Sequence, residues 1–342
     1  MRKQIDAFIR LGQPKFLLES FLTVTLGLTV SVYSGQSFQF GAWLMAQAVV
    51  SGTHLMTQYC NEYFDLEADS AHTGPNSWTG GSRVLVSGEL KPVVSLAASF
   101  TLLFGVLALV VFLPSPVERL LGLAMVTLAW FYTAPPIRLN YHALGEITTS
   151  GVLTILCPLL AVYAQMKTVP PVLFALSGPL FLVMAARMMV MNFCDRDSDL
   201  LAGKHTLPNT LGPRRAAWLF TALQIAAYGL VAGVTLAGIL PPPAGIGLLL
   251  TAPLAYPLCR RLLRDPPSEE DPAGAAAVAR LATTHAAATG FTAIIGMLLA
   301  TIWWSDDGWS SSVLVCVGIF AVYALLFTAV QLNGQNRNAV VS

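Results

Sequence analysis

The chain has 342 residues, 55% of them hydrophobic and only 11% charged, with a formal net charge of +1. A soluble globular chain carries about 25% charged residues, so water is the wrong solvent for most of this one. The net charge says nothing about partners, and no nucleic acid is expected among them.

The amino terminus, Met1 to Lys15, is basic and runs into a long apolar block with no clear small-residue cleavage site after it. It reads as an interfacial cytoplasmic segment (1–15) before a retained first span, not as a secretory signal. Apolar blocks then follow at about 16–34, 39–60, 93–113, 117–133, 145–166, 172–193, 215–238, 243–263, 281–303 and 312–332. Roughly 20 residues is what an α-helix needs to cross a ~30 Å hydrocarbon core. Runs such as Leu121–Trp130 and Ile294–Trp304 do not alternate apolar and polar residues, which excludes a closed β-barrel. The expectation is an all-α polytopic transmembrane helix bundle in a lipid bilayer.

Cytoplasmic loops retain lysine and arginine, so the basic residues set the orientation. With the amino terminus inside, only Arg119 and Lys167 of the 19 basic residues lie outside, and Arg187 lies within a span. The proline-rich acidic loop Asp265–Gly274 reads as a flexible connection without chemistry. Cys60, Cys157, Cys194, Cys259 and Cys316 show no paired spacing and are expected as free thiols. The scattered histidines give no transition-metal pattern.

The acids carry more information, because a carboxylate near a bilayer is costly. Seven of the 18 crowd two windows: Glu62, Asp65, Glu67 and Asp69 after the second span, and Asp195, Asp197 and Asp199 after the sixth. Both spans run inward, so both windows emerge at one membrane face. On helices, Asn61, Asp65 and Asp69 share a face, as do Asn192, Asp195 and Asp199. Each set offers two carboxylates and an amide oxygen. Mg²⁺ is usually held by one or two carboxylates together with substrate phosphates, and two such helix ends facing each other suit a diphosphate. A solvated charge cluster is the bland alternative, and the apolar helix ends argue against it. Arg83, Arg138 and Lys204 lie on the same side, as diphosphate partners or as ordinary inner-face anchors. Arg187, inside a span, is expected to pair with an acid or to face a cavity. His54 shares the face of Asn61 and is a cavity candidate. Glu19 and Glu146 are candidates to contact a second substrate or to pair with a nearby base.

These residues resemble the UbiA superfamily of intramembrane prenyltransferases, in which an N-x-x-x-D-x-x-x-D motif follows the second helix and a D-x-x-x-D motif the sixth. The likeness extends to Arg10 with Pro14–Leu17, to Gly80–Arg83 through Gly88, and to Gly203–Leu207 with Leu211–Gly212. Tyr132–Arg138 with Gly145–Glu146 is similar to the stretch after the fourth helix in the menaquinone branch, whose enzymes prenylate 1,4-dihydroxy-2-naphthoate. One departure is Cys194, where naphthoate-using relatives commonly carry arginine. Members have nine helices around a central cavity. The resemblance therefore implies a prenyltransferase domain over 16–303, with 304–342 adding a tenth, carboxy-terminal helix and a tail.

The resemblance also implies a mechanism. Mg²⁺ held by Asp65, Asp69, Asp195 and Asp199 binds an isoprenyl diphosphate, with Asn61, Asn192, Arg83, Arg138, Lys204 and Tyr132 around the phosphates. The allylic cation formed is stabilised by rings such as Tyr63, Tyr132 or Phe193, and an aromatic quinone-precursor-like acceptor attacks it. The expected location is the bacterial inner membrane with the site facing the cytoplasm. Competing readings are a same-fold enzyme that cyclises or hydrolyses the diphosphate, and a secondary transporter. The pattern says nothing of oligomeric state.

Overall fold

The computed structural model describes residues 2–304 and 308–339, and every regular element among them is helical; one isolated bridge pairs His142 with His205. An amphipathic helix, α1 (Arg2–Leu11), precedes α2 (Pro14–Tyr33), α3 (Phe40–Phe64), a short α4 (Leu66–Ala71), α5 (Pro92–Val111) and α6 (Pro116–Trp130). A π-helical turn, Val152–Leu156, joins α7 (Gly145–Gly151) to α8 (Cys157–Met166). Next come α9 (Pro171–Cys194), the short α10 (Arg196–Leu201) and α11 (Leu207–Leu211), and α12 (Pro213–Leu236). A broken pair, α13 (Pro242–Leu249) and α14 (Ala252–Arg264), leads to α15 (Pro272–Trp304) and α16 (Ser311–Ala339). Each expected apolar block is thus a helix, and the last residues of the carboxy-terminal tail lie outside the described ones.

Eight of these helical segments are long and apolar enough to cross a membrane. Two of the ten expected spans fall short for different reasons: α6 has 15 residues, and α3 carries Gln47, His54, Gln58, Asn61 and Glu62 along its length. Proline opens most helices, because its missing N–H costs nothing in a first turn. At α6, Ser115 and Glu118 add a reciprocal capping box, with bonds of 3.2 and 2.8 Å. Pro158 acts differently. It lies inside a helical run, where it cannot donate to the preceding turn, and the backbone there widens into the π turn.

Contacts between loops sort onto two ends of the bundle. At one end Gln39 bonds with Gln165, Phe38 with Ser312, and Lys167 with Glu118. At the other, Gln13 reaches Glu62, Thr73 reaches Glu269, and His205 reaches Tyr141. This is the alternation that antiparallel spans require, and it puts both acidic windows at one end. Small residues let the helices close up: a Cβ at Gly27 would meet Pro158 O at 2.6 Å, and one at Gly296 would meet Ala244 Cα at 2.3 Å. Helix α15 returns to pack against α2, closing the bundle, and α16 lies against α2 from outside. Phe291 of α15 meets Phe320, Tyr323 and Phe327 of α16 edge-on at 5.4 Å.

Candidate active site

Both acidic windows sit at the same kind of helix break. At Asp65 (φ −94°, ψ 6°) α3 ends, and at Asp195 (φ −102°, ψ 11°) α9 ends. The i to i−4 bonds nonetheless continue through each break: Asp65 N to Asn61 O at 2.8 Å, Asp69 N to Asp65 O at 2.9 Å, and Asp199 N to Asp195 O at 2.9 Å. The motif residues therefore stay on one face, and the short helices α4 and α10 pack against each other.

Between them opens a cavity of about 1380 Å³, counting the space at its mouth. Val50, Thr53, His54, Thr57, Gln58, Asn61, Asp65 and Asp69 line it from α3 and α4, so the wall follows one helix face for about 22 Å at 1.5 Å per residue. Helices α2, α6, α7 and α9 and the turn after α6 supply the other walls, through Phe16, Glu19, Met125, Leu128, Tyr132, Thr149, Arg187, Met188 and Met191. Beyond the charged motif end the lining is mostly apolar, interrupted by His54 and by Glu19 with Arg187. Three of the polar residues that disqualify α3 as a simple hydrophobic span, His54, Gln58 and Asn61, face this space.

Asn61, Asp65, Asp69, Asn192, Asp195, Asp199, Lys204, Tyr132, His54 and Arg187 all line the cavity. Lys204 bridges the two motifs, with Nζ 3.0 Å from Asp65 Oδ2 and 3.2 Å from Asp199 Oδ1. Burial acts against its charge, but Asp199 and Asp65 outweigh that and raise its pKa well above the lysine range. Burial pushes the Asp199 carboxyl up to about 7 in spite of Lys204. It also raises Asp69, with Glu62 and Asp65 adding like charge. Buried acceptor oxygens remain without partners: Asn61 Oδ1, Asp65 Oδ1 and Asp199 Oδ2. Unpaired buried carboxylate and amide oxygens at the edge of a cavity are the donor set a hard divalent cation takes. Among the described residues no three acids, histidines or cysteines converge into a closed metal cage.

The remaining candidates sit off the wall. Arg83 (φ 66°) donates to Asp69 O and, at 3.4 Å, to Gly80 O. Arg138 lies over the Tyr141 ring at 4.9 Å. Glu146 is buried behind α9, where Oε1 accepts from Asn192 Nδ2 at 2.7 Å and from Leu207 N at 2.9 Å. Of the three aromatic candidates only Tyr132 reaches the cavity; Phe193 is packed with Phe220 and Leu258 in the core, and Tyr63 lies edge-on to Phe64. Arg187 does pair with an acid, Glu19, at 2.5 Å on the cavity wall. Glu62 accepts from Gln13 and from Ser82 N and Oγ, so it holds the loop after α4. That loop passes close to the site, since a Cβ at Gly81 (φ 69°) would stand 2.2 Å from Asp69 Oδ2.

Residues outside the motifs also build the site. Phe16 and Trp78 line the mouth edge-on at 6.4 Å. Gly74 N donates to His72 Nδ1 at 3.1 Å, which leaves the proton on Nε2, 2.9 Å from Asp195 Oδ1. The loop Asp265–Gly274 corrects the reading of a flexible connection. Glu269 is 5% exposed and accepts from Thr73 and Ser198. Burial raises its pKa, but the amides of Ser198 and Thr73 outweigh burial and keep the carboxyl below the usual glutamate range. Composition gave no sign of this, because a partner 71 residues away leaves no spacing pattern. The five cysteines are free, and Cys194 faces Ala275 O of α15 at 3.7 Å instead of the cavity.

An all-α membrane bundle with two inward acidic helix ends on one cavity is the class the geometry defines. A profile of the UbiA prenyltransferase family matches residues 20–278, and the chain belongs to that family. It is an integral membrane enzyme, a prenyltransferase. The chain is similar to the 1,4-dihydroxy-2-naphthoate octaprenyltransferase of Bacillus subtilis (strain 168), 24% identical over 236 residues, 68% of this chain and 75% of that one. Its fold matches a UbiA homolog from Archaeoglobus fulgidus solved with DMAPP and Mg²⁺, at TM-score 0.63 and 17% identity over 84% of this chain and 99% of that one. It also matches a digeranylgeranylglyceryl phosphate synthase structure at TM-score 0.62 and 21% identity, over 87% and 99% of the two chains.

Proposed function

We propose that this enzyme transfers an isoprenyl group from a prenyl diphosphate to an aromatic, quinone-precursor-like acceptor, with Mg²⁺, at the cytoplasmic face of a bacterial inner membrane. One observation carries the reading: carboxylates from two motifs 130 residues apart line one cavity, with Lys204 between them and an apolar chamber behind. The naphthoate octaprenyltransferase of B. subtilis supports the aromatic acceptor. The A. fulgidus homolog with DMAPP and Mg²⁺ supports the diphosphate and the cation.

Asp65 and Asp69 on one side, and Asp195 and Asp199 on the other, would hold Mg²⁺, which supplies Lewis acidity to the departing diphosphate. Lys204 offers that diphosphate a permanent positive charge once it leaves the carboxylates. Asn61 and Asn192 add amide groups at the same edge, Arg83 and Arg138 hold the loops beside it, and Tyr132 gives the cavity an aromatic wall near the motifs. The allylic C–O bond breaks, a C–C bond to the ring forms, and the ring loses a proton. His54 stands about two turns below Asn61 with an unpartnered Nδ1, where it is available to that proton. The positive-inside count supports a cytoplasmic motif face.

The test is a product assay. Purified enzyme with Mg²⁺, a panel of prenyl diphosphates and candidate quinone precursors is expected to release pyrophosphate and yield a prenylated ring with only the right pair. A free terpene, or release of diphosphate without an acceptor, would move the assignment to a cyclising or hydrolysing enzyme. Solute flux with no bond broken would move it to a transporter.

A further inference from the structure

We infer that Glu269, on the loop between α14 and α15, is a positioning residue that fixes the spacing of the two aspartate motifs by binding to both. Its Oε2 accepts from Thr73 N at 3.0 Å and from Thr73 Oγ1 at 3.2 Å, just past Asp69 and α4. Its Oε1 accepts from Ser198 N at 2.7 Å, one residue before Asp199. A single buried carboxylate thus receives three donors from the two sequence segments that present the motif aspartates.

Two further features tie the same three segments together. A Cβ at Gly74 would come 2.1 Å from Glu269 O, so only glycine lets the two backbones approach this closely. His72, in the same turn as Thr73, reaches across to Asp195 with Nε2 at 2.9 Å. The chemistry selects glutamate. A carboxylate accepts on both oxygens, whereas glutamine would turn an NH₂ group toward one of the N–H donors. The two aspartate pairs must share one diphosphate, so their spacing governs how well a cation fits between them. Groups outside a metal's ligand shell that orient its ligands typically change metal affinity by about 10–100-fold when removed.

This role rests on the proposed Mg²⁺–diphosphate chemistry, and two experiments separate the failures. The first needs no ligand. Hydrogen exchange of the purified, detergent-solubilised enzyme is expected to quicken in Glu269→Ala and Glu269→Gln at residues 66–74 and 196–204 together, with α5 and α12 unchanged. Exchange as slow as wild type in both segments overturns the proposal. The second is a Mg²⁺ titration of thermal stability with inorganic pyrophosphate present, paired with steady-state kinetics. Glu269→Ala should need about tenfold more Mg²⁺ for half-maximal effect, with kcat at saturating Mg²⁺ nearly retained and Glu269→Gln intermediate. Loss of kcat with an unchanged Mg²⁺ requirement denotes general damage and also overturns it. Should Glu269→Ala fail to fold, Gly74→Ala displaces the same loop from the opposite side and is expected to give the same shift. Wild-type enzyme that ignores Mg²⁺ and pyrophosphate would sink the functional reading, while the exchange result still decides the strut.

Discussion

The two aspartate motifs share a backbone break and a pairing with Lys204, and differ in most of what else surrounds them. The first ends α3, whose polar side chains line the cavity for several turns, and it leaves Asn61 Oδ1 and Asp65 Oδ1 unpaired. The second ends α9, a helix buried through most of its length, and although Asp199 Oδ2 is also unpaired, other elements hold most of its polar groups. Glu146 takes the Asn192 amide, His72 takes Asp195, and Glu269 takes the Ser198 N–H. The first half is the more open to ligands; the second is the more heavily braced. A site that must clamp a diphosphate between two helix ends gains from one rigid jaw, because the cost of ordering the ligands is then met in folding and not in binding.

The largest expected effect tests whether both jaws are needed. Asp65→Ala and Asp195→Ala should each lower kcat/KM by roughly 10³-fold or more, with the purified proteins still folded by circular dichroism and gel filtration. The asymmetry predicts a further difference: Asp195→Ala also frees His72, so proteolysis of the 72–82 loop should accelerate in that variant alone. Substantial activity in both variants would count against the motifs as the reacting centre.

Lys204 comes next, as the bond between the jaws. Replacing it by methionine leaves the buried Asp65 and Asp199 facing each other without a cation, and breaking a buried pair of this kind costs about 3–5 kcal/mol. Thermal unfolding of Lys204→Met should therefore shift down without Mg²⁺ and recover much of the loss when Mg²⁺ is added. A variant as stable as wild type in metal-free buffer would show that the bridge contributes nothing to stability.

A pH dependence follows from Asp199, whose carboxyl is pushed up to about 7 by burial. Its folded pKa lies above the unfolded one, so the stability it contributes is complete at low pH and is lost as pH rises through the neutral range. Mg²⁺ must displace that proton to bind. The stabilisation that Mg²⁺ confers should accordingly grow as pH rises across neutrality, measured as the shift in Tm at a fixed Mg²⁺ concentration. A flat profile would remove Asp199 from the cation's ligands.

The two halves were not equally readable from the chain. Apolar block length gave the helices, and spacings of three and four gave the motif faces, because both are local properties of an α-helix. Arg187 was legible as a charge too costly to leave idle inside a span, and Lys204 as one of three basic residues on the motif side, a diphosphate partner or an ordinary anchor. The bracing was not: Glu269 reaches Thr73 across 196 residues and Ser198 across 71, and such pairings exist only after folding. Glu146 and Phe193 mislead for a related reason. Each lies next to motif residues in sequence or type, while the turn of its helix directs it into packing and away from the cavity.

Cys194 supports the smallest prediction and the finest distinction between the halves. In naphthoate-using relatives arginine commonly stands just before the second motif's aspartate, which makes this position look like a reader of the acceptor. Here the thiol is 1% exposed and directed at Ala275 O on α15, outside the cavity wall. Its contribution is then packing between α9 and α15. Cys194→Ala should cost about 1 kcal/mol of stability and leave the ratio of kcat/KM among aromatic acceptors unchanged. A changed acceptor ratio would mean that the braced jaw also selects the ring, and that this face of α9 turns toward the cavity when substrate binds.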